Sequence, residues 1–315
     1  MRVLFWGTPE FAVAPLRALL YEGFEVIGAV TQTDKPQGRS RSALVPPPVK
    51  ALALAEGIPV FQPPKPKDAE FLEMLGVIQP DISVVVAYGH ILPRSAIDAP
   101  RLGTLNIHAS LLPKLRGAAP IQAAVRQGFR ETGVTIMRMV PALDAGPVVL
   151  TRTTPILDDE TAGELTQRLA ELGSVAIVEA LQLIAGGRHT ETPQDDAAAT
   201  YAPKIEREHA RVDWRMPAIE VSRVVRAFDP RPSAWTTLRG AEVKLFGART
   251  MPDEPETPAG APAPGTVTAL DAEGMAVACG DGAVRLREVQ PAGKRRMAVG
   301  EWARGRGIAV GDVLV

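Results

Sequence analysis

The chain has 315 residues, 46% of them hydrophobic and 23% charged, the balance of an ordinary soluble globular protein with room for two separately cored domains. A single cysteine, Cys279, excludes a disulfide framework and a cysteine zinc site, and with four histidines and no paired ligand spacing no metal is expected. The formal net charge of −1 excludes a protein that holds nucleic acid by bulk charge, although seventeen basic against fifteen acidic residues from Lys204 onward leave the later part modestly basic.

Val3 to Trp6 is an apolar run that starts the chain directly as a strand, without the basic and apolar regions of a signal peptide. No later run approaches the roughly 20 apolar residues that span a bilayer, so a cytoplasmic protein without membrane contact is expected. Gly7, Thr8 and Pro9 end the run, a periodic helix follows over 11–20, and Glu25 to Val30 completes the strand–helix–strand unit that opens a parallel, doubly wound sheet. The first turn has one Gly where a dinucleotide fingerprint wants three, which speaks against a nicotinamide or flavin site. Thr31 to Pro48 is a long polar loop with Lys35, Arg39 and Arg41, read either as a solvated connection or as a cationic arm that orders on a phosphate-rich partner. Helices are expected over 49–56 and 69–75, a short strand at Val60, and a doubly covered strand over 81–87 that ends in Tyr88, Gly89 and His90.

The stretch Gly103 to Gln122, GTLNIHASLLPKLRGAAPIQ, is the centre of the first domain. A strand over 104–108 points Asn106 and His108 to the same face, and a compact turn, Ser110 to Pro113, leads into the basic Gly loop Lys114 to Gly117 and a helix over 118–126. A strand over 134–139 precedes Leu143, Asp144, Ala145 and Gly146, so polar groups at three strand ends could converge: Tyr88, the Asn106 and His108 pair, and Asp144. An edge-like strand over 148–154 and a long amphipathic helix over 161–184 follow, the helix opened by Thr161 and Glu164 at capping-box spacing and stopped by Gly186 and Gly187. The polar segment 190–206 reads as a linker, so the expected domains are 1–189 and 207–315. In the second, a helix over 218–228 precedes five short strand-like runs, at 235–238, 243–248, 266–270, 275–279 and 283–289, which suit a small OB-like β-barrel. Met251 to Pro264 is a Pro-rich loop within it, and Lys294, Arg295 and Arg296 are its dense basic cluster.

An Asn beside a His, with a carboxylate nearby, is not a Ser or Cys nucleophile arrangement. It can stabilise an oxyanion and manage one proton, which fits transfer of an activated acyl or one-carbon group to an amine that is itself the nucleophile. The same residues also serve commonly as a satisfied structural His, a local Asn cap and an Asp–Ala–Gly turn, and spacing alone leaves both readings open.

FWGTPEFA, VVVAYG, NIHASLLPKLRGAAPIQ, ETGVTIM, LDAGPVV and AGKRRM together resemble, in register from about Arg2 to the carboxyl end, the formyltetrahydrofolate-dependent formyltransferases, in the branch that acts on methionyl-tRNA. The resemblance implies a Rossmann-like catalytic domain followed by a smaller tRNA-binding barrel. It implies transfer of the formyl group of 10-formyltetrahydrofolate to the α-amino group of initiator methionyl-tRNA, for translation initiation. Carried over by position, Asn106, His108 and Asp144 form the catalytic trio. Ser110, Leu111, Leu112, Pro113, Val86, Tyr88 and Gly89 line the folate site, and Arg39, Arg41, Lys294, Arg295 and Arg296 meet the tRNA. Leu115 stands where the family commonly has an aromatic residue, and Pro147 where an acidic one is frequent. A monomer is expected.

Overall fold

The computed structural model describes residues 1–37, 43–251 and 262–315, as two units. The first comprises 1–120, 131–155 and 166–202, and the second 121–130, 156–165 and 203–315. Arg39, Arg41 and most of the Pro-rich loop lie outside the described residues.

The chain forms β1 (Arg2–Gly7), α1 (Val13–Tyr21), β2 (Glu25–Val30), β3 (Lys35–Gln37), β4 (Ala43–Val45), α2 (Pro48–Ala55), β5 (Val60–Phe61), α3 (Ala69–Ile78) and β6 (Ile82–Val86). There follow α4 (Arg94–Ile97), β7 (Thr104–His108), β8 (Arg116–Gly117), α5 (Pro120–Arg126), β9 (Glu131–Arg138), β10 (Val148–Pro155), α6 (Ala162–Ala185) and β11 (Tyr201–Ala202). One sheet runs β10-β9-β7-β6-β1-β2-β5. The five strands from β7 to β5 pair in parallel, and β9 lies antiparallel on β7.

The run β1–α1–β2 winds outward to β5, after which β6 returns to the other side of β1. The strand order therefore reverses between β1 and β6, and their carboxyl ends flank the crevice where doubly wound sheets take ligands. All five residues of β6 are buried, as its unbroken Val and Ile content predicts for a strand covered on both faces, whereas β10 alternates exposed and covered residues as an edge strand does. Trp6 is fully buried, edge-on to Phe71 and Tyr88 at centroid distances of 5.5 and 5.4 Å, and its indole N–H donates to Ser83 Oγ at 3.1 Å. The capping box forms as its spacing requires. The Thr161 N–H donates to Glu164 Oε2 at 2.9 Å, and the Glu164 N–H to Thr161 Oγ1 at 3.2 Å.

Two features that bear on the site differ from the sequence expectation. Residues 190–202, taken as part of a linker, are fastened to the first unit, with Thr192 bridged to Val148 and β11 paired with β8. Because β9 is antiparallel, Asp144 does not follow a carboxyl end at the crevice edge. The loop after Arg138 starts at the opposite end of β7 and folds back along it.

The second unit holds α7 (Ala218–Ala227), β12 (Ala234–Leu238), β13 (Ala241–Thr250), β14 (Val267–Asp271), β15 (Gly274–Ala278), β16 (Ala283–Pro291), β17 (Met297–Ala298) and α8 (Val299–Arg304), of which β17 and α8 were not anticipated. Its sheet runs β12-β13-β16-β15-β14, all antiparallel, with β17 on β16. The segment 311–315 bridges the two edges. The Val315 N–H and the Thr237 N–H each donate to the other's carbonyl at 2.9 Å, the Leu314 N–H donates to Gly265 O at 2.9 Å, and the Val267 N–H to Asp312 O at 2.8 Å. Both edge strands are thus capped by main-chain bonds, the physical content of barrel closure. No helix among the described residues is long and apolar enough to cross a membrane.

Leu314 is 1% exposed and joins the barrel core. Leu314→Ala is expected to lower stability by about 2–5 kcal/mol through the cavity it leaves. Urea unfolding followed by tryptophan fluorescence measures this, and a loss below the range would show that the closing segment contributes little.

Candidate active site

β7 places Asn106 opposite Met137 and His108 opposite Thr135 on β9. The His108 ring is buried, and its Nε2 lies 2.9 Å from the carbonyl of Leu115. A carbonyl only accepts, so Nε2 carries the proton and donates. Nδ1 then faces Asp144 Oδ2 at 3.6 Å, longer than a hydrogen bond but at ion-pair range. That same carboxylate oxygen accepts the Gly117 N–H at 2.8 Å. Loop 115–117 therefore touches both members of the pair, orienting the ring with one carbonyl and the carboxylate with one amide.

This geometry demands unusual backbone. Leu115 has φ +60° and Asp144 φ +48°, both in the left-handed region, which Asp tolerates and Leu does not prefer. Gly117 has φ +117°, and a Cβ there would sit 2.6 Å from Ala202 O, so no other residue fits under β11. Leu115 is 1% exposed. The residue, which lacks the aromatic ring common at this position in the family, serves through its carbonyl. The Asn106 side-chain amide has no hydrogen-bond partner among the described residues and is half-buried.

The turn after β7 is braced from beneath. Ser110 Oγ donates to Lys114 O at 2.6 Å, Thr135 Oγ1 donates to Ser110 O at 2.7 Å, and the Leu112 N–H donates to Thr135 Oγ1 at 3.2 Å. Ser110 is buried, while Leu111, Leu112 and Pro113 keep partly open surfaces. At the end of β6, the side chains of Val86 and Tyr88 turn into the core, and burial pushes the Tyr88 phenol up to about 12. The Tyr88 carbonyl is taken by Thr8 Oγ1 at 2.8 Å and Gln32 Nε2 at 3.2 Å. Only Gly89, together with Ala87, offers surface there. Next to it a cavity of about 370 Å³ is lined by Lys65, Pro66, Lys67, His90, Ile91, Leu92 and Pro93. Neither lysine ammonium has an ion-pair partner among the described residues, so an apolar floor carries two unspent positive charges.

Sequence reasoning missed Leu115 and Gly117 as backbone ligands of the pair, Thr135 as the brace, and the residues of 194–202 that pack over the loop. The Gly in the Arg116–Gly117 dipeptide was the one available signal, since a Gly after a basic turn marks a close backbone approach.

In the second unit the basic cluster separates into unlike members. Arg296 donates to Asp229 Oδ1 at 3.0 Å, pairs with Glu288 and lies 4.0 Å over the Phe246 ring, and Asp229 is only 7% exposed. Arg295 pairs with Glu301 at 2.8 Å on the surface, and Lys294 is exposed.

Family profiles match both parts of the chain, one described as formyl transferase over residues 1–181 and one as formyl transferase, C-terminal domain, over 204–307. The methionyl-tRNA formyltransferase of Methylococcus capsulatus is 48% identical over 309 residues, covering 98% of each chain. That of Aromatoleum aromaticum is 48% identical over 312 residues, covering 99% of this chain and 96% of its own. Among solved structures, HypX from Aquifex aeolicus superposes with a TM-score of 0.68 at 23% identity, over 96% of this chain and 48% of that one. WlaRD, a sugar 3N-formyl transferase, gives 0.68 at 18% identity, over 94% and 99%. At those identities the likeness is one of fold.

Thr135→Val keeps the side-chain shape but leaves the Leu112 N–H and the Ser110 carbonyl without their bridge. A loss of about 1–3 kcal/mol is expected in chemical denaturation, with Thr135→Ser near the parent. Equal stability of the valine variant would remove Thr135 as the brace.

Proposed function

The chain belongs to the methionyl-tRNA formyltransferases of the formyltransferase family, and from that premise we propose how its residues move the formyl group of 10-formyltetrahydrofolate onto the α-amino group of initiator methionyl-tRNA. The observation that carries the reading is the pairing of an uncommitted amide, Asn106, with a histidine whose Nε2 is spent on Leu115 and whose Nδ1 faces a carboxylate.

Bound 10-formyltetrahydrofolate supplies an activated one-carbon acyl group. As the methionyl amine attacks, Asn106 donates its amide hydrogens to the formyl oxygen, where negative charge gathers. His108 Nδ1 takes the proton that the amine loses, and the Asp144 carboxylate beside it offsets the positive charge of the imidazolium. The proton is then free to pass to the departing folate nitrogen. The ring's commitment to Leu115 supports assigning His108 to proton transfer rather than to the oxyanion. A neutral amine is required, because an ammonium has no lone pair to attack with.

The folate fits the residues present. Leu111, Leu112 and Pro113, in the turn that follows β7, offer apolar surface, and the exposed Ala87 and Gly89 offer main chain at the end of β6. The cavity with Lys65 and Lys67 suits the benzoyl-glutamate end, which carries an aryl group and carboxylates. For the tRNA we keep Arg39 and Arg41 of the long loop together with Lys294 and Arg295. Arg296 is better read as part of the barrel's own ion-pair clasp. A monomer working in the cytoplasm, where charged tRNA is found, completes the reading.

Single-turnover formylation of charged initiator tRNA tests the trio. Asn106→Ala is expected to slow it about 10²–10³-fold, with His108→Ala and Asp144→Asn in the same range. Parental rates for Asn106→Ala and His108→Ala would overturn the assignment. In steady state, Lys65→Ala combined with Lys67→Ala is expected to raise the KM for formyltetrahydrofolate several-fold at unchanged kcat. An unchanged KM would remove the cavity from the folate site.

A further inference from the structure

Asp144 lies in a turn whose preceding residues, Pro141 to Leu143, are exposed, so side-chain packing from that segment does not hold it. Its position is fixed by hydrogen bonds, and two that hold the turn come from one residue fifty positions away. Gln194 Nε2 donates to the Asp144 carbonyl at 2.8 Å and to the Gly146 carbonyl at 2.7 Å. Gln194 Oε1 accepts from Arg116 Nε at 3.1 Å and Nη2 at 2.8 Å. Arg116 is 3% exposed, and its Nη2 continues to Asp196 Oδ1 at 2.7 Å.

The topology of this network has a specific consequence. Arg116 lies between Leu115, whose carbonyl orients the His108 ring, and Gly117, whose N–H orients the Asp144 carboxylate. Gln194 therefore joins, through one planar amide, the loop that aims the histidine and the turn that carries the aspartate. A primary amide suits this role among uncharged side chains, because one nitrogen offers two hydrogens while the oxygen accepts from the guanidinium. A carboxylate in its place would satisfy Arg116 but face two carbonyl oxygens with no hydrogen to give.

We propose that Gln194 is a positioning residue for the formyl transfer, setting the His108–Asp144 geometry from the segment that follows α6. It touches neither His108 nor the reacting atoms. It acts through the backbone of Asp144 and Gly146 and through Arg116. The 190–202 segment is on this view part of the catalytic apparatus rather than a tether between domains. The inference rests on the assignment of proton transfer to His108 and Asp144.

The test compares Gln194→Met and Gln194→Glu in single-turnover formylation across pH, per mole of folded enzyme as judged by circular dichroism. Methionine keeps the length and bulk of glutamine without its hydrogen bonds, so it separates positioning from packing and guards against a variant that fails to fold. Gln194→Met and Gln194→Glu are expected to slow the chemical step about 10- to 100-fold, with KM for both substrates near the parent's and the pH–rate profile displaced. In a His108→Ala background, Gln194→Met is expected to add no further loss, because the pair it positions is already gone. A parental rate and profile for Gln194→Met, or a full additional loss in the His108→Ala background, would overturn the proposal. A parental rate for His108→Ala itself would instead sink the underlying assignment, so the two failures are distinguishable.

Discussion

An imidazole with two nitrogens can hold one proton permanently and offer the other position to chemistry only if something fixes which is which. In this fold the carbonyl of Leu115 does so, because an acceptor 2.9 Å from Nε2 leaves Nδ1 as the only site that can gain or lose a proton. The rest of the site follows from that contact. The carbonyl reaches the ring only with Leu115 at φ +60°, a conformation that costs of order 1–3 kcal/mol and persists where surroundings enforce it. Those surroundings are visible: the Leu115 N–H donates to Thr200 Oγ1 at 2.9 Å, the Arg116 N–H to Thr200 O at 2.8 Å, and the Leu115 side chain is buried. Strain in loop 115–117 is thereby held by the strand β11 laid beside it.

The direction of β9 decides how the carboxylate arrives. Had β9 run parallel, Asp144 would have followed a strand end at the crevice and needed no anchoring beyond that end. Running antiparallel, β9 delivers the chain to the far side, and the loop must return across the sheet. Gly146 makes the return possible, since a Cβ there would sit 1.8 Å from Arg138 O. A loop that doubles back in this way buries few side chains, so its position depends on hydrogen bonds made by the elements it meets.

Much of the scaffold was legible because it rests on local physics. β2 and β7 have the bounds that their apolar runs predict, the Thr161 and Glu164 capping box forms, and five barrel strands fall at the five short runs. Asn106 and His108 were legible as a pair because a two-residue period on a strand is a geometric certainty. Strand direction was not, since Glu131 to Arg138 reads alike in either sense. Tyr88 was misjudged for a related reason: the residue after a buried strand can point in or out, and a left-handed Ala87 at φ +46° sends the ring inward against Trp6. Leu115 acts through its carbonyl and Gln194 through a polar segment without periodicity. Leu115 leaves no mark because backbone groups are common to every residue, and Gln194 leaves none because its partners, two carbonyls and Arg116, lie far off in the sequence.

The same distinction between having a group and having it available applies to the second unit. A cluster of three cations reads from sequence as a phosphate-binding patch, yet the two arginines must first be released from the carboxylates they already have. Arg295 and Glu301 are both largely exposed, and such pairs contribute at most about 1 kcal/mol, so a phosphate can replace the carboxylate at little cost. Arg296 differs, because Asp229 is 7% exposed and would be left as a buried charge without its partner, a far larger penalty. The Phe246 ring beneath the guanidinium adds a further attraction that a tRNA contact would have to match. Under the proposed function, availability more than charge count therefore favours Lys294 and Arg295 over Arg296 for a phosphate contact.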